Sequence, residues 1–96
     1  MTVRLSEQVV SFAGELAPES RRRLKAALKG LEAWKGDIRQ LEGPLSGYHR
    51  LRAGGFRVIF KSRGSAADCV FIERRSIVYE VFETQLREKL LEGRTE

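Results

Sequence analysis

The stretch Gly47–Lys61, GYHRLRAGGFRVIFK, consists of two runs of alternating residues joined by Gly54-Gly55. A Gly-Gly pair between two such runs is a strong β-hairpin signal, because both residues can adopt positive φ angles. A two-residue loop fixes the pairing register. One face of the ribbon is then largely apolar and contains three facing pairs: Ala53 with Phe56, Leu51 with Val58, and His49 with Phe60.

The other face of this ribbon is crowded with basic side chains. Its members are Tyr48, Arg50, Arg52, Arg57, Ile59 and Lys61. The register places Arg52 directly opposite Arg57, and like charges opposed across a strand pair are destabilising. Such a conflict with local preference is typical of a functional site. The arginine face therefore predicts an anionic ligand with more than one phosphate.

Composition and charge are those of one soluble domain spanning residues 1–96, with 42% hydrophobic and 32% charged residues. The net charge is +5. The segment Gly43–Tyr79 contains seven basic and two acidic residues, which accounts for the whole excess. A basic excess confined to one segment indicates a polyanion-binding site. The alternative is a solvated basic face.

Several classes of protein are not indicated by the sequence. No apolar run reaches the length needed to span a membrane, and the N-terminus lacks the apolar core of a secretory signal. The single cysteine, Cys69, lies in an apolar run and suits a reducing cytoplasm. One histidine cannot form a metal cluster. We expect a cytoplasmic protein with no membrane partner, no metal and no cofactor.

The hydrophobic periodicity predicts seven elements in the order β-α-α-β-β-β-α. Outside the hairpin they are a strand at Thr2–Leu5, a helix capped by Ser6, a helix at Glu19–Trp34, a buried central strand at Cys69–Ile72 and a helix at about Glu80–Leu91. Asp37–Pro44 is interpreted as a connection with one short extended piece, Ile38–Leu41. This order predicts a two-layer α+β fold. The N-terminal helix hairpin packs on the apolar face of an antiparallel meander and leaves the arginine face open.

Three segments resemble the RelE/ParE superfamily of bacterial toxins. SGYHRLRAGGFRVIFK resembles its signature hairpin, LSEQVVSFAGELAPESRRRLKAAL its opening helix pair, and CVFIERRSIVY its last strand with a trailing arginine and tyrosine. The resemblance extends from Val3 to about Phe82. It implies a toxin neutralised by a cognate antitoxin, usually encoded beside it. RelE-like members cut mRNA in the ribosomal 30S A site without a metal, whereas ParE-like members inhibit DNA gyrase and are not nucleases.

The resemblance also implies which residues act on RNA. The positions that match the family's catalytic residues are Arg50, Arg57, Arg75 and Tyr79, and the supporting RNA-binding candidates are Tyr48, Arg52, Lys61 and Arg74. Guanidinium groups stay charged and bind phosphate oxygens in bidentate fashion. Arginine is a poor base, so Tyr79 is the candidate general base or a stacking surface for a nucleotide base. The alternative role of Tyr79 is that of a core tyrosine.

The sequence departs from the RelE pattern at three places. Tyr48 stands where some RelE-like enzymes carry a lysine, Glu73-Arg74 stands where many relatives have glycine followed by histidine or lysine, and no C-terminal histidine is present. The alternatives to a ribonuclease are a gyrase inhibitor and a decayed toxin that retains only antitoxin binding. In each case we expect a hetero-oligomer in which an acidic, partly disordered antitoxin segment covers the basic face or displaces the C-terminal helix.

Overall fold

The computed structural model describes residues 1–74 and 78–94. This part of the chain forms a five-stranded sheet and three α-helices. The elements are β1 (Thr2–Leu5), α1 (Glu7–Gly14), α2 (Pro18–Leu31), β2 (Asp37–Gln40), β3 (His49–Ala53), β4 (Phe56–Arg63), β5 (Ala66–Arg74) and α3 (Val78–Arg94), with a short 3-10 turn at Gly43–Leu45. None of the described helices is long and apolar enough to cross a membrane.

The sheet has the strand order β1-β5-β4-β3-β2. Strands β2 to β5 form an antiparallel meander, and β1 pairs with β5 in parallel. The hairpin register is the predicted one, with Leu51 opposite Val58 and Arg52 opposite Arg57. The α+β class and the meander are therefore confirmed. The extended piece predicted within a connection is the additional strand β2 at one edge of the sheet. The helix pair returns the chain to the end of the sheet where β1 finishes, so β2 runs opposite to β1 and the meander ends with β5 parallel to β1.

Helices α1 and α2 cover one face of the sheet, which we call the helix-pair face. The core there is built from Val9, Leu24, Leu31, Leu51, Ala53, Val58, Phe60, Ala67, Cys69 and Ile72. The backbone N–H of Val9 donates to the Ser6 hydroxyl, which confirms the predicted N-cap. The Gln8 amide donates to the Ile72 carbonyl at 2.8 Å and accepts from the Ile72 N–H at 2.9 Å. Gln8 thereby continues the pairing of β5 beyond the end of β1.

Helix α3 lies on the opposite face, so it corrects the expectation that the arginine face is left open. A register shift in β4–β5 pairs Ile59 with Phe71 and Phe60 with Cys69, which leaves Val70 as an extra residue. Ile59 and Phe71 form a second apolar cluster that Phe82 of α3 covers. The two-layer description holds for the helix pair and the sheet, and α3 adds a partial third layer because this apolar patch must be shielded from water.

Strand β5 is buried on both faces, as the apolar run Cys69–Ile72 predicts. Cys69 and Ile72 belong to the core beneath the helix pair, and Phe71 belongs to the second cluster. The strand is interior to the sheet, since β1 and β4 flank it, although β4 is the middle strand. The predicted burial on both faces is confirmed, and the predicted central position is corrected, because β5 lies beside the middle strand β4.

Candidate functional site

A cavity of about 560 Å³ opens on the arginine face beside α3, and we call it the arginine pocket. It is lined by Asp37, Arg39, Gln40, Leu41, Arg50, Arg52, Arg57 and Tyr79. Three of the four residues that match the family's catalytic set, Arg50, Arg57 and Tyr79, meet there. Arg52, a predicted RNA-binding residue, joins them.

The sheet register explains why these basic side chains converge. Residues two apart along a strand share a face, and paired residues on neighbouring strands lie side by side. Arg39 on β2 is paired with Arg50 on β3, and Arg52 on β3 is paired with Arg57 on β4. Two arginine pairs therefore lie on adjoining strands of one face. Because like charges opposed in this way are destabilising, the arrangement concentrates positive charge at a cost to the fold.

Arg50 is the buried member of the group. Its side chain is only 8% exposed, and its Nη2 lies 3.4 Å from Oδ1 of Asp37. The other oxygen of Asp37, Oδ2, lies 3.9 Å from Nη1 of Arg52. A buried charge must be paired, so Asp37 provides the compensation that keeps the Arg50 guanidinium inside the pocket.

Arg57 and Tyr79 close the other side of the pocket. Arg57 is half-buried and donates from Nη1 to the Phe56 carbonyl at 3.3 Å. It lies opposite Glu73 of β5, so an acidic residue adjoins it in the sheet. Tyr79, near the start of α3, is half-buried and packs against the second apolar cluster while also lining the pocket. The tyrosine therefore contributes to the packing of α3 and is available to a ligand in the pocket.

Three of the remaining predicted site residues lie outside the lining of the pocket. The Tyr48 ring packs against Phe82, with centroids 5.1 Å apart, and Lys61 Nζ lies 5.4 Å from the Tyr48 ring centroid. The Arg74 guanidinium lies over the Phe56 ring at 5.6 Å. Since Arg74 is paired with Phe56, it is on the helix-pair face and is not brought into the pocket. Arg75 lies outside the described residues.

Asp37, Arg39, Gln40 and Leu41 line the pocket and were not among the residues predicted from the sequence. The signal that could have identified them is the alternation in DIRQ. If Ile38 faces the core opposite Leu51, then Asp37 and Arg39 must face the arginine side. Recognising β2 as a strand would therefore have added both residues to the site.

Two other chemically versatile side chains are placed away from the pocket. His49 lies on the helix-pair face, with its ring stacked on Phe60 at 5.3 Å. Burial, reinforced by the charge of Asp68, raises the pKa of the Cys69 thiol to about 12, so this thiol is not a nucleophile at neutral pH. Within residues 1–74 and 78–94, no group of three or more His, Cys, Asp or Glu side chains is placed to hold a metal ion.

Comparisons with known proteins found similarity in structure. No protein-family model and no curated protein sequence matches the chain. RelE in the RelB–RelE antitoxin–toxin complex from Methanococcus jannaschii superposes with a TM-score of 0.65 at 19% identity, over 82% of this chain and 98% of that one. The YoeB–YefM complex from Staphylococcus aureus gives a TM-score of 0.64 at 13% identity, and the match covers 78% of this chain and 97% of that one. YafQ from E. coli gives a TM-score of 0.58 at 15% identity, and the match covers 77% of this chain and 92% of that one. At these identities the likeness establishes the fold.

Proposed function

We propose that this chain, which has the fold of the RelE, YoeB and YafQ toxins, is the toxin of a type II toxin–antitoxin system and a metal-independent endoribonuclease that cuts mRNA in the ribosomal 30S A site. The observation that carries this proposal is the convergence of Arg50, Arg52, Arg57 and Tyr79 on one pocket. Fold alone does not determine activity, so the argument rests on the chemistry that these side chains can perform.

Cleavage of RNA without a metal has three requirements. The 2′-oxygen attacks the adjacent phosphorus while its proton passes to a base, a pentacoordinate phosphorane carries the extra negative charge, and the 5′-oxygen takes up a proton from water as it leaves. The bond formed is from the 2′-oxygen to phosphorus, and the bond broken is from phosphorus to the 5′-oxygen. The products are a 2′,3′-cyclic phosphate and a 5′-hydroxyl end.

The arginines of the pocket meet the electrostatic requirement. Their guanidinium groups donate to non-bridging phosphate oxygens and stay protonated throughout. Arg50 is preorganised, because its burial and its ion pair with Asp37 restrict its movement. Removing one preorganised donor of this kind typically costs about 3 kcal/mol of transition-state stabilisation. We therefore assign phosphate binding and stabilisation of the phosphorane to Arg50 and Arg57.

Tyr79 is assigned either the proton transfer or the stacking of a nucleotide base. Its phenol oxygen could accept the proton of the 2′-hydroxyl, whereas its ring offers an aromatic surface. Tyr79→Phe distinguishes the two roles, because it keeps the ring and removes the oxygen. We extend the proposed site to Arg39, which lines the pocket, and we omit Arg74, which lies on the other face.

We further propose that a cognate antitoxin binds this chain, as an antitoxin accompanies RelE in the complex from M. jannaschii. The segment Gly43–Tyr79, which supplies three of the four arginines of the pocket, contains the whole positive excess of the sequence. An acidic antitoxin segment that covers this surface would block access of mRNA. Failure of the chain to co-purify with the product of the adjacent reading frame would contradict this part of the proposal.

The proposal is tested by inducing the protein in cells and mapping the 5′ ends of transcripts. We expect cuts in phase with codons that disappear in Arg57→Ala. In Tyr79→Phe the cuts should weaken if Tyr79 transfers the proton and persist if its ring only stacks on a nucleotide base. Arg63→Ala is a matched control, because Arg63 is an exposed arginine of the same strand that pairs with Asp68 outside the pocket. Intact mRNA together with DNA breaks and supercoiling defects would instead identify a gyrase inhibitor. Intact mRNA and intact DNA with retained antitoxin binding would identify a decayed toxin.

A further inference from the structure

We propose that Asp37 is a built-in counter-anion of the arginine pocket, which holds the Arg50 and Arg52 guanidinium groups until an RNA phosphate displaces it from them. This inference rests on the proposed function, since it takes the pocket to be where RNA binds. It assigns to Asp37 competition with the RNA phosphate for the Arg50 and Arg52 donors, a role that does not follow from the arginines alone.

The geometry places one carboxylate between two cations. Asp37 begins β2 and is paired with Arg52, and its two oxygens point to different guanidinium groups, Oδ1 to Arg50 and Oδ2 to Arg52. Asp37 is also the carboxylate among the eight described residues that line the pocket, against four arginines. Its charge has the same sign as that of the proposed ligand, so Asp37 competes with the ligand for the same donors.

The contacts of Asp37 are those of a displaceable ion. Charge-assisted hydrogen bonds between nitrogen and a carboxylate are about 2.7–2.9 Å long, and the contacts of Asp37 measure 3.4 and 3.9 Å. The Asp37 side chain is 48% exposed, so water screens the attraction. A phosphate can approach each guanidinium more closely and bind in bidentate fashion. Exchange of the carboxylate for a phosphate therefore favours the phosphate.

Asp68 provides the contrast within the same molecule. It also bridges two arginines, but its Oδ1 lies 2.7 Å from Nε of Arg4 and its Oδ2 3.3 Å from Nε of Arg63. Its side chain is 24% exposed, and it lies outside the arginine pocket. Asp68 makes the shorter contacts of a structural bridge, whereas Asp37 makes longer contacts at the surface where RNA is expected.

Two roles of Asp37 predict opposite results when its charge is removed. If Asp37 is displaced by phosphate, Asp37→Asn removes a competitor and RNA binds more tightly. If Asp37 only supports the fold, Asp37→Asn releases Arg50 from its position and RNA binds more weakly. The sign of the change in affinity therefore distinguishes a counter-anion from a structural ion pair.

The test is the affinity of the purified full chain for a short, fluorescently labelled single-stranded RNA whose 2′-hydroxyls are methylated to prevent cleavage. The variants are Asp37→Asn, Asp37→Glu and, as the matched control, Asp68→Asn, which also removes one negative charge and frees two arginines. Asp37→Asn is expected to bind about fivefold more tightly, the upper range for a partly exposed ion pair. Asp37→Glu and Asp68→Asn are expected to stay within about twofold of the unchanged protein, because Glu keeps the charge and Asp68 is remote.

The dependence on salt supplies a second readout. Because displacement of Asp37 leaves the same phosphate contacts in both proteins, the slope of log affinity against log salt is expected to be the same in Asp37→Asn as in the unchanged protein. A slope steeper by about 0.7, the value for one contact to a single strand, would contradict displacement, because the arginines would then gain a phosphate that they do not contact in the unchanged protein. Unchanged or weaker binding by Asp37→Asn would overturn the inference, as would an equal gain in Asp68→Asn. If codon-phased cuts are present and the Asp37→Asn affinity is unchanged, the inference alone fails. If no variant binds RNA, the proposed function and the inference both fail.

Discussion

Replacement of Phe82 by alanine should detach α3 from the sheet while leaving the rest of the domain folded. Phe82 is 7% exposed, and its ring centroid lies 5.1 Å from that of Tyr48 and 5.7 Å from that of Phe71. Truncating a buried phenylalanine to alanine typically costs about 3–5 kcal/mol. Such a loss would multiply the population of the detached helix by about 10²–10³ or more. The core beneath α1 and α2 does not contain Phe82, so its packing should persist.

Two probes report on the two faces separately. Amide hydrogen exchange within α3 measures detachment of the helix. Fluorescence of Trp34, the only tryptophan, reports on the helix-pair face, where its ring lies 5.6 Å from Phe60. We expect exchange in α3 of Phe82→Ala to accelerate by about two orders of magnitude or more, with a small change in the urea midpoint measured by Trp34. Thr84→Ala, at an exposed position of α3, is the control.

A fall of the Trp34 midpoint in step with the loss of protection in α3 would contradict separate detachment of the helix. That result would mean that the helix and the sheet unfold as one cooperative unit. Unchanged exchange in α3 would refute it as well, because it would show that Phe82 does not anchor the helix. Since Tyr79 precedes Phe82 by one helical turn, detachment should also remove Tyr79 from the pocket and reduce RNA cleavage.

Three further predictions concern the core and its connections. Gln8→Ala should lower the free energy of unfolding in urea by about 2 kcal/mol, because two hydrogen bonds to Ile72 are lost. Gln8→Glu should recover only the contribution of the hydrogen bond that the side chain accepts from the Ile72 N–H. A change below about 0.5 kcal/mol in Gln8→Ala would contradict this role. Burial and the charge of Asp68 raise the pKa of the Cys69 thiol to about 12 and keep the thiol protonated. Cys69 should therefore react with a thiol reagent at mildly alkaline pH only after denaturation. Labelling of the native protein at the rate of an exposed thiol would contradict this prediction. Leu51→Ala, at a fully buried position, should destabilise the domain by about 3–4 kcal/mol in the same urea titration, and a loss under 1 kcal/mol would mean that the site collapses around the smaller side chain.

The hairpin was predictable because its register depends on local features. Gly54-Gly55 sets a two-residue loop, and alternation on either side then determines every facing pair, including Arg52 opposite Arg57. A one-residue slip would have moved Leu51 to solvent, so burial of one face favours the same register as the loop does. The convergence of Arg50, Arg52 and Arg57 follows from this register without further information.

The features that were missed depend on contacts between distant segments. Strand β2 is four residues long, and although DIRQ alternates, a run this short is placed in the sheet only by the packing of Ile38 opposite Leu51. The extra residue Val70 in β5 changes which side chains share a face, so the side occupied by Arg74 could not be read from simple alternation. The amphipathic pattern of α3 predicts a helix with one buried stripe but does not specify which face of the sheet it covers.

The central claim is that the arginine pocket cuts mRNA on the ribosome, and the most direct test is cleavage of a defined mRNA on purified ribosomes by the purified chain. We expect a cut in the A-site codon that leaves a 5′-hydroxyl end. Cleavage should be slower by about two orders of magnitude in Arg50→Ala or Arg57→Ala, the effect of losing one preorganised donor, and should keep its full rate in Arg63→Ala. Cleavage that survives in both pocket variants, or that falls equally in all three, would contradict the claim.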